Sequence, residues 1–313
     1  MSSNRESLTR LSGPLLVLLL AAFLRLYRLA SVPFGWHPDE ATKALLARDV
    51  LAGKFFPAFF SAFTGREALF VYLEALLFTL TGEGIFTGRL LSAFVGILTV
   101  ALTYTTGREL FSRRIGLLTA IFLAVSLWHI IASRNGYRAV IQPFIQLFTI
   151  FFLFYGLRTY GTAGILPASN NHSWWPFLLA GIFLGLSQYT YTAVRLFPFL
   201  ILAILFLLLI FDRRAIIANW MPLLAMGAVA LLVFLPLGYH FWQHPDDFFG
   251  RAAQISVFSS EWSGGDSGAR LWQSIKETAR MWTIWGDINY RFNIAGQPVF
   301  DWFTGILFFL GIP

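Results

Sequence analysis

From Leu196 to Phe211 the chain runs without a charged side chain, built almost wholly of Leu, Ile and Phe. Six more apolar stretches recur at about residues 13–30, 88–107, 116–132, 139–157, 174–192 and 221–240. A helix needs roughly 17–25 such residues to cross a hydrocarbon layer, and in lipid each backbone amide must find its partner inside the protein. Repeated runs of this length lead to one fold class, an all-α polytopic transmembrane helical bundle. Its expected content is about seven full spans and a partial eighth, which begins near Val299 and is still apolar at Pro313. That abrupt stop marks the chain, in expectation, as C-terminally incomplete. Residues 1–313 are otherwise expected to form a single membrane-embedded module.

Composition agrees. Hydrophobic residues make up 57% and charged residues 12% of the chain, whereas soluble domains carry about 25% charged residues. So little charge cannot cover a water-facing surface. The formal net charge of +7 suits cytoplasmic loops that face anionic lipid. No basic stripe with interleaved aromatics occurs in a polar segment, so nucleic acid is excluded as a partner. The absence of Cys removes disulfide and thiolate chemistry. At the N-terminus Arg25 and Arg28 follow the first apolar run where a cleavable leader would be neutral. The run therefore reads as an uncleaved span whose two late arginines snorkel toward the outer headgroups.

The segment Ala68–Thr81 sets the sidedness of everything after it. It is apolar but carries Glu74 and lies between Glu67 and Glu83; a carboxylate at mid-membrane costs about 2.5–3.5 kcal/mol. The reading is an amphipathic helix in the outer interface, within a first outer loop over residues 31–87. Arg108, Arg113, Arg114, Arg158, Arg213 and Arg214 are then cytoplasmic, as the positive-inside bias requires. Twelve of the sixteen carboxylates fall in that loop and in a last outer loop over residues 241–298. Any chemistry is expected on the outer face. Within the spans only Gln142, Gln146 and Gln188 stand out as polar, and there is no inverted repeat. Ion-coupled transporters place ionisable groups at mid-depth, so a transporter of lipid or polyprenyl-linked sugar is kept only as the alternative.

The first outer loop holds two acidic strings, Pro38-Asp39-Glu40-Ala41 and Gly65-Arg66-Glu67-Ala68-Leu69. Taken alone, Asp39 or Glu40 would simply open a helix, where a carboxylate meets the positive dipole end. Two more strings accompany them: Gly88-Arg89-Leu90-Leu91-Ser92-Ala93 at the start of the second span and Ser133-Arg134 closing the third. With all four, the chain from about Leu24 to Phe211 resembles the GT-C integral membrane glycosyltransferases. The likeness is closest to glycosyltransferase family 39, which includes protein O-mannosyltransferases and bacterial aminoarabinose transferases of lipid A. The resemblance implies inverting transfer of a sugar from an undecaprenyl- or dolichyl-phosphate carrier to an acceptor on the non-cytoplasmic face. It implies that Asp39 is the general base on the acceptor hydroxyl or amine, with Glu40 orienting the loop or assisting. Glu67 matches a second acidic position that holds substrate or, with Asp39, a divalent cation in a hard oxygen site. Some relatives carry carboxylates in the second outer loop, but here Ser133-Arg134-Asn135-Gly136-Tyr137-Arg138 has none. No metal ligand and no certain cofactor are therefore assigned.

A lipid phosphate that leaves needs cations, and Arg134, Arg138 and Arg195 all sit at outer ends of spans in this topology. Guanidinium forks bind phosphate oxygens in a bidentate way; arginines at that depth also snorkel. Tyr137 and Tyr191 complete the expected phosphate-binding set, or else belong to an interfacial aromatic belt. In the last outer loop Asp287, Asn289 and Arg291 are candidates to face the acceptor, with a structural turn as the plainer reading. His244 becomes a metal ligand only if a partner such as Glu67 approaches, while His37 and His129 read as structural. Phe144, Phe148, Phe151 and Phe152 read as lipid- or bundle-facing. The expected partners are a polyprenyl-phosphate-linked sugar donor, a protein, lipid or glycan acceptor, and membrane lipids.

Overall fold

The computed structural model describes residues 2–62, 65–160, 173–258, 266–290 and 292–311. It divides into two compact units, Met1–His240 and Phe241–Pro313. The first unit opens with α1 (Ser2–Leu26), α2 (Pro38–Leu51), α3 (Leu69–Thr81) and α4 (Ile85–Leu110). It continues with α5 (Arg113–Val125), α6 (Leu127–Arg134) and α7 (Ile141–Tyr160). Then come α8 (Trp175–Ser187), α9 (Phe197–Phe211), α10 (Arg213–Ala218) and α11 (Trp220–Gln243). The second unit holds α12 (Pro245–Ile255), α13 (Ser267–Met281) and α14 (Trp302–Leu310).

Among the described residues four helical segments are long and apolar enough to cross a membrane: Phe86–Leu110, Arg138–Arg158, Thr192–Phe211 and Trp220–Gln243. Helices α5 and α6, bent by 60°, make a fifth if they count as one broken span. The described residues thus show four or five candidate spans and do not confirm the count of seven. The run at 116–132 breaks at Ser126, and the run at 174–192 stops at Ser187. Beyond Ser187 the backbone tightens into i→i+3 bonds, and the Tyr189 carbonyl accepts instead from the Leu69 amide at 3.1 Å. A tertiary hydrogen bond thus overrides a hydropathy pattern that would have carried the helix on. These helices make the chain an integral membrane protein.

Helix α4 is the centre of the first unit: 56% of its spanning window is buried, against 17% for the segment that includes α9 and 22% for α11. On one side Val17, Ala21, Val100, Ala120 and Ala124 join α1, α4 and α5. On another, Phe70, Val95, Ile141 and Ile145 join α3, α4 and α7. The phenylalanines of α7 face the bundle at α8, since Phe148 and Phe152 stack on Phe183 at 4.5 and 5.8 Å.

Arg25 departs from the snorkelling expected of it. It is fully buried and donates to the Ala124 and Leu123 carbonyls at 3.0 and 3.3 Å, and it lies 2.7 Å from His129 Nδ1. The cause is the break at Ser126. The last carbonyls of α5 have lost their helical partners, and a guanidinium from α1 supplies the donors. Arg28, by contrast, is exposed.

Candidate active site

The loop before α2 sends two neighbouring carboxylates to different partners. His37 is the N-cap of α2: its Nδ1 accepts from the Asp39 amide at 3.2 Å, and its own amide donates to Glu40 Oε2 at 3.0 Å. Pro38 at the first helical position needs no donor partner there. This reciprocal cap fixes the first turn, with Glu40 inward and Asp39 outward. Glu40 is buried in a fork with Arg89, at 3.0 Å to Nε and 3.2 Å to the second nitrogen. The same guanidinium donates to the Pro33 and Gly35 carbonyls, both at 2.6 Å. Arg89, at the start of α4, therefore holds the whole 33–40 loop against the bundle.

Asp39 keeps 39% of its side chain exposed and pairs with Arg66 at 3.1 Å. Arg66 lies in a short hairpin absent from the all-α expectation, in which β1 (Phe59–Phe60) pairs antiparallel with β2 (Arg66–Glu67). Gly65 turns into β2 at φ +80°, where a glycine carries no Cβ penalty. Glu67, next along β2, is nearly fully buried and accepts from Thr192 Oγ1 at 2.8 Å. Two cations approach it at 3.5 Å (Arg138) and 3.8 Å (Arg195). Arg138 also lies 5.4 Å from the centre of the Tyr191 ring, and the Tyr137 and Tyr191 hydroxyls are 3.0 Å apart. Thus Glu67, Tyr137, Arg138, Tyr191 and Arg195 form one cluster, joined to the exposed Asp39 through the adjacent hairpin residue Arg66.

Arg134 goes elsewhere. It donates at 2.9–3.1 Å to the Leu24, Arg25, Tyr27 and Val32 carbonyls, capping the end of α1. Asp287 and Asn289, in the second unit, build a local turn: the Asn289 amide donates to Asp287 Oδ1 at 2.8 Å and the Gly296 amide to the Asp287 carbonyl at 3.0 Å. Arg291 lies outside the described residues.

Sequence reasoning missed Arg66, Arg89, Thr192, Lys43 and the burial of Glu74 as parts of this site. Buried Lys43 donates from Nζ to the Gly136 carbonyl and sits 4.6 Å over the Phe70 ring. Gly136 has φ +54° and so little space that a Cβ would meet Glu40 Oε1 at 3.0 Å. Glu74 points from α3 toward Gly88 and is 3% exposed. Burial pushes its pKa from 4.5 up to about 7; the Lys43 charge opposes the rise and the Glu40 charge adds to it. The available signal was weak: Arg66 and Arg89 sat inside the quoted strings, but nothing in spacing says which acid an arginine will meet.

Among the described residues no three His, Asp or Glu groups come together, and both Asp39 and Glu67 face guanidinium groups that would repel a metal ion.

Residues 68–240 match the model of the family described as dolichyl-phosphate-mannose-protein mannosyltransferase; Asp39 and Glu40 precede the matched region. A search of curated proteins by sequence found no match. Among solved structures, the chain is similar to the oligosaccharyltransferase AglB from Archaeoglobus fulgidus, in complex with an inhibitory peptide and a dolichol-phosphate. The TM-score is 0.61 at 17% identity, over 88% of this chain and 37% of that one. It is similar also to ArnT from Cupriavidus metallidurans in the apo state, at TM-score 0.55 and 16% identity over 80% of this chain and 44% of ArnT. ArnT bound to undecaprenyl phosphate aligns at TM-score 0.54 and 17% identity, over 88% of this chain and 51% of that one. The chain thus spans between about a third and a half of the length of these enzymes, and the likeness establishes a shared membrane fold.

Proposed function

The chain belongs to the dolichyl-phosphate-mannose-protein mannosyltransferase family, and from that membership we propose that it is an inverting glycosyltransferase drawing on a polyprenyl-phosphate-linked sugar. The observation that carries the reading is Asp39, an exposed carboxylate held by Arg66 beside a cluster containing Arg138 and Arg195. Asp39 takes the proton of the acceptor hydroxyl or amine. The acceptor atom bonds to the anomeric carbon from the face opposite the phosphate, the bond from that carbon to the phosphate oxygen breaks, and the lipid phosphate leaves with the electron pair. Arg66 holds Asp39 in place through their 3.1 Å pair. The pairs of Arg138 and Arg195 with Glu67 are longer than the roughly 2.7–2.9 Å of a tight charge-assisted hydrogen bond. An arriving phosphate therefore competes well for these guanidiniums, which then stabilise the charge growing on it. Buried Glu67 keeps the two cations together while no substrate is bound. The acceptor is a protein, lipid or glycan on the non-cytoplasmic face. The likeness to enzymes whose structures hold dolichol-phosphate or undecaprenyl phosphate supports the donor class.

The test is turnover with a panel of radiolabelled polyprenyl-phosphate sugars in membranes containing the protein. Asp39→Asn should lower transfer by roughly 10²–10⁴-fold, the usual worth of a general base, at unchanged membrane abundance. Full transfer by that variant would remove Asp39 from the reaction. Movement of the labelled lipid without release of its phosphate would replace catalysis by transport.

A further inference from the structure

Helix α13 (Ser267–Met281) is strongly two-sided, and none of its residues is buried. At 3.6 residues per turn, Gly268, Leu271, Trp272, Ile275, Thr278 and Ala279 fall on one side. Leu271, Trp272 and Ile275 expose 39%, 61% and 49% of their surface. The opposite side carries Arg270, Gln273, Lys276, Glu277 and Arg280, three cations to one carboxylate. There Arg270 donates to Gln273 at 3.3 Å and Gln273 to Glu277 at 2.8 Å. A helix that leaves Trp, Leu and Ile bare on one face and keeps an internally bonded, basic opposite face is built for a boundary between oil and water.

The second observation concerns what adjoins that face. Trp282, just past the helix, stacks on Phe300 and Phe308 at 5.8 and 5.6 Å. The Val299 and Phe300 amides donate to the Met281 and Trp282 carbonyls, both at 2.9 Å. The end of α13 is thereby fixed to α14 (Trp302–Leu310), whose Trp302, Phe303, Ile306, Phe309 and Leu310 are each more than half exposed. The apolar stripe of α13 ends at Trp282, which anchors it to Phe300 and Phe308 within the same unit, and the excess of positive charge matches anionic headgroups.

We propose that α13 lies in the headgroup layer of an anionic bilayer, with Leu271, Trp272 and Ile275 toward the acyl chains and Arg270, Lys276 and Arg280 toward the phosphates. Lys276 sits 5.9 Å from the Trp272 ring centre, so its ammonium reaches the phosphate level while its stem covers the indole. The helix in this position tethers the chain between α11 and α14 to the membrane surface. The inference stands on the second unit alone and is independent of the reaction proposed above.

Because the chain has no Cys, single cysteines can carry a nitroxide in the full protein. The labels go at Leu271→Cys, Trp272→Cys and Ile275→Cys on one side, and at Gln273→Cys, Lys276→Cys and Arg280→Cys on the other. The protein is held in nanodiscs of phosphatidylcholine with phosphatidylglycerol. Collision of each label with oxygen and with a water-soluble nickel chelate gives its depth. The expected result is a period of one helical turn, with the first three labels about 5–10 Å below the phosphates and the other three open to nickel. Nickel access at all six positions would leave the helix in water and overturn the proposal. Low access to both reagents at the first three would mean that protein covers the stripe, which overturns it equally.

Discussion

At the residue scale the structure separates Asp39 from Glu40, neighbouring acids that spacing alone reads only as the opening of a helix. Glu40 is locked to Arg89 and away from solvent, so its role is to hold the loop that presents Asp39. Arg89→Met strands a buried carboxylate and should cost about 3–5 kcal/mol, read as a lower midpoint of thermal unfolding in detergent. Adding Glu40→Gln to that variant should recover part of the loss; no recovery would mean that Arg89 acts through the Pro33 and Gly35 carbonyls alone. Arg138→Ala should weaken donor binding about tenfold or more, as expected for a lost hydrogen bond to a charged group of about 1.5–3 kcal/mol, and unchanged donor affinity in a binding titration would return Arg138 to a structural role. Glu74 gives a pH signature. Its folded pKa is raised to about 7 from 4.5, so its stabilising contribution is complete below about 4.5 and is lost as pH rises through about 7. Glu74→Gln should flatten the fall of the unfolding midpoint across that window; an unaltered slope would show that the carboxyl is not buried as described. The acids and two of the cations were legible as residue types in outer segments. Their pairing was not, because Asp39 and Arg66 are separated by 27 positions and Glu40 and Arg89 by 49, and only the folded chain brings them together.

At the scale of elements, hydropathy located the long helices and failed where polar contacts or close backbones decide the outcome. It could not foresee the bend at Ser126, because the residues on both sides are apolar and the stabilising group, Arg25, comes from another helix. Arg25→Leu leaves the Ala124 carbonyl without that donor, while the Leu123 carbonyl keeps the Ser126 amide, and should cost about 1–3 kcal/mol. A midpoint of unfolding equal to that of the unaltered protein would show that the bend needs no donor. Hydropathy is silent also on how α8 meets α11. Gly181 and Gly185 let the helices touch, since a Cβ at Gly181 would run into the Met226 carbonyl and one at Gly185 into the Ala230 carbonyl at 2.6 Å. Small residues four apart are a common way for membrane helices to approach. Gly185→Val should therefore cost about 1–3 kcal/mol by overpacking, while Ile182→Val at a half-exposed position should change the unfolding midpoint little. Equal effects of the two would mean that α8 and α11 do not depend on close approach.

At the scale of the whole molecule, the first question is which ends of the helices share a compartment. The answer turns on α3. With 13 residues it extends roughly 20 Å at 1.5 Å per residue, short of the roughly 30 Å hydrocarbon core. Its two ends also serve one site: the Leu69 amide bonds the Tyr189 carbonyl, and Gly88, shortly after its other end, lies against Glu74 and precedes Arg89, which binds Glu40. A helix that crossed would carry Arg89 to the far side of the membrane from Glu40. We propose from this geometry that α3 rests along the surface and, in keeping with the positive-inside bias, that this surface is turned away from the cytoplasm. The prediction can be checked in sealed vesicles of known orientation with single cysteines and a membrane-impermeant maleimide. Phe34→Cys and Glu83→Cys, which flank α2 and α3 and are exposed, should react from the non-cytoplasmic side. Arg114→Cys and Arg213→Cys, also exposed, should react only after the vesicles are opened. If Phe34 and Glu83 instead react from opposite sides, α3 crosses the bilayer, the Glu40–Arg89 pair cannot form, and no assembled site remains for a lipid-linked donor.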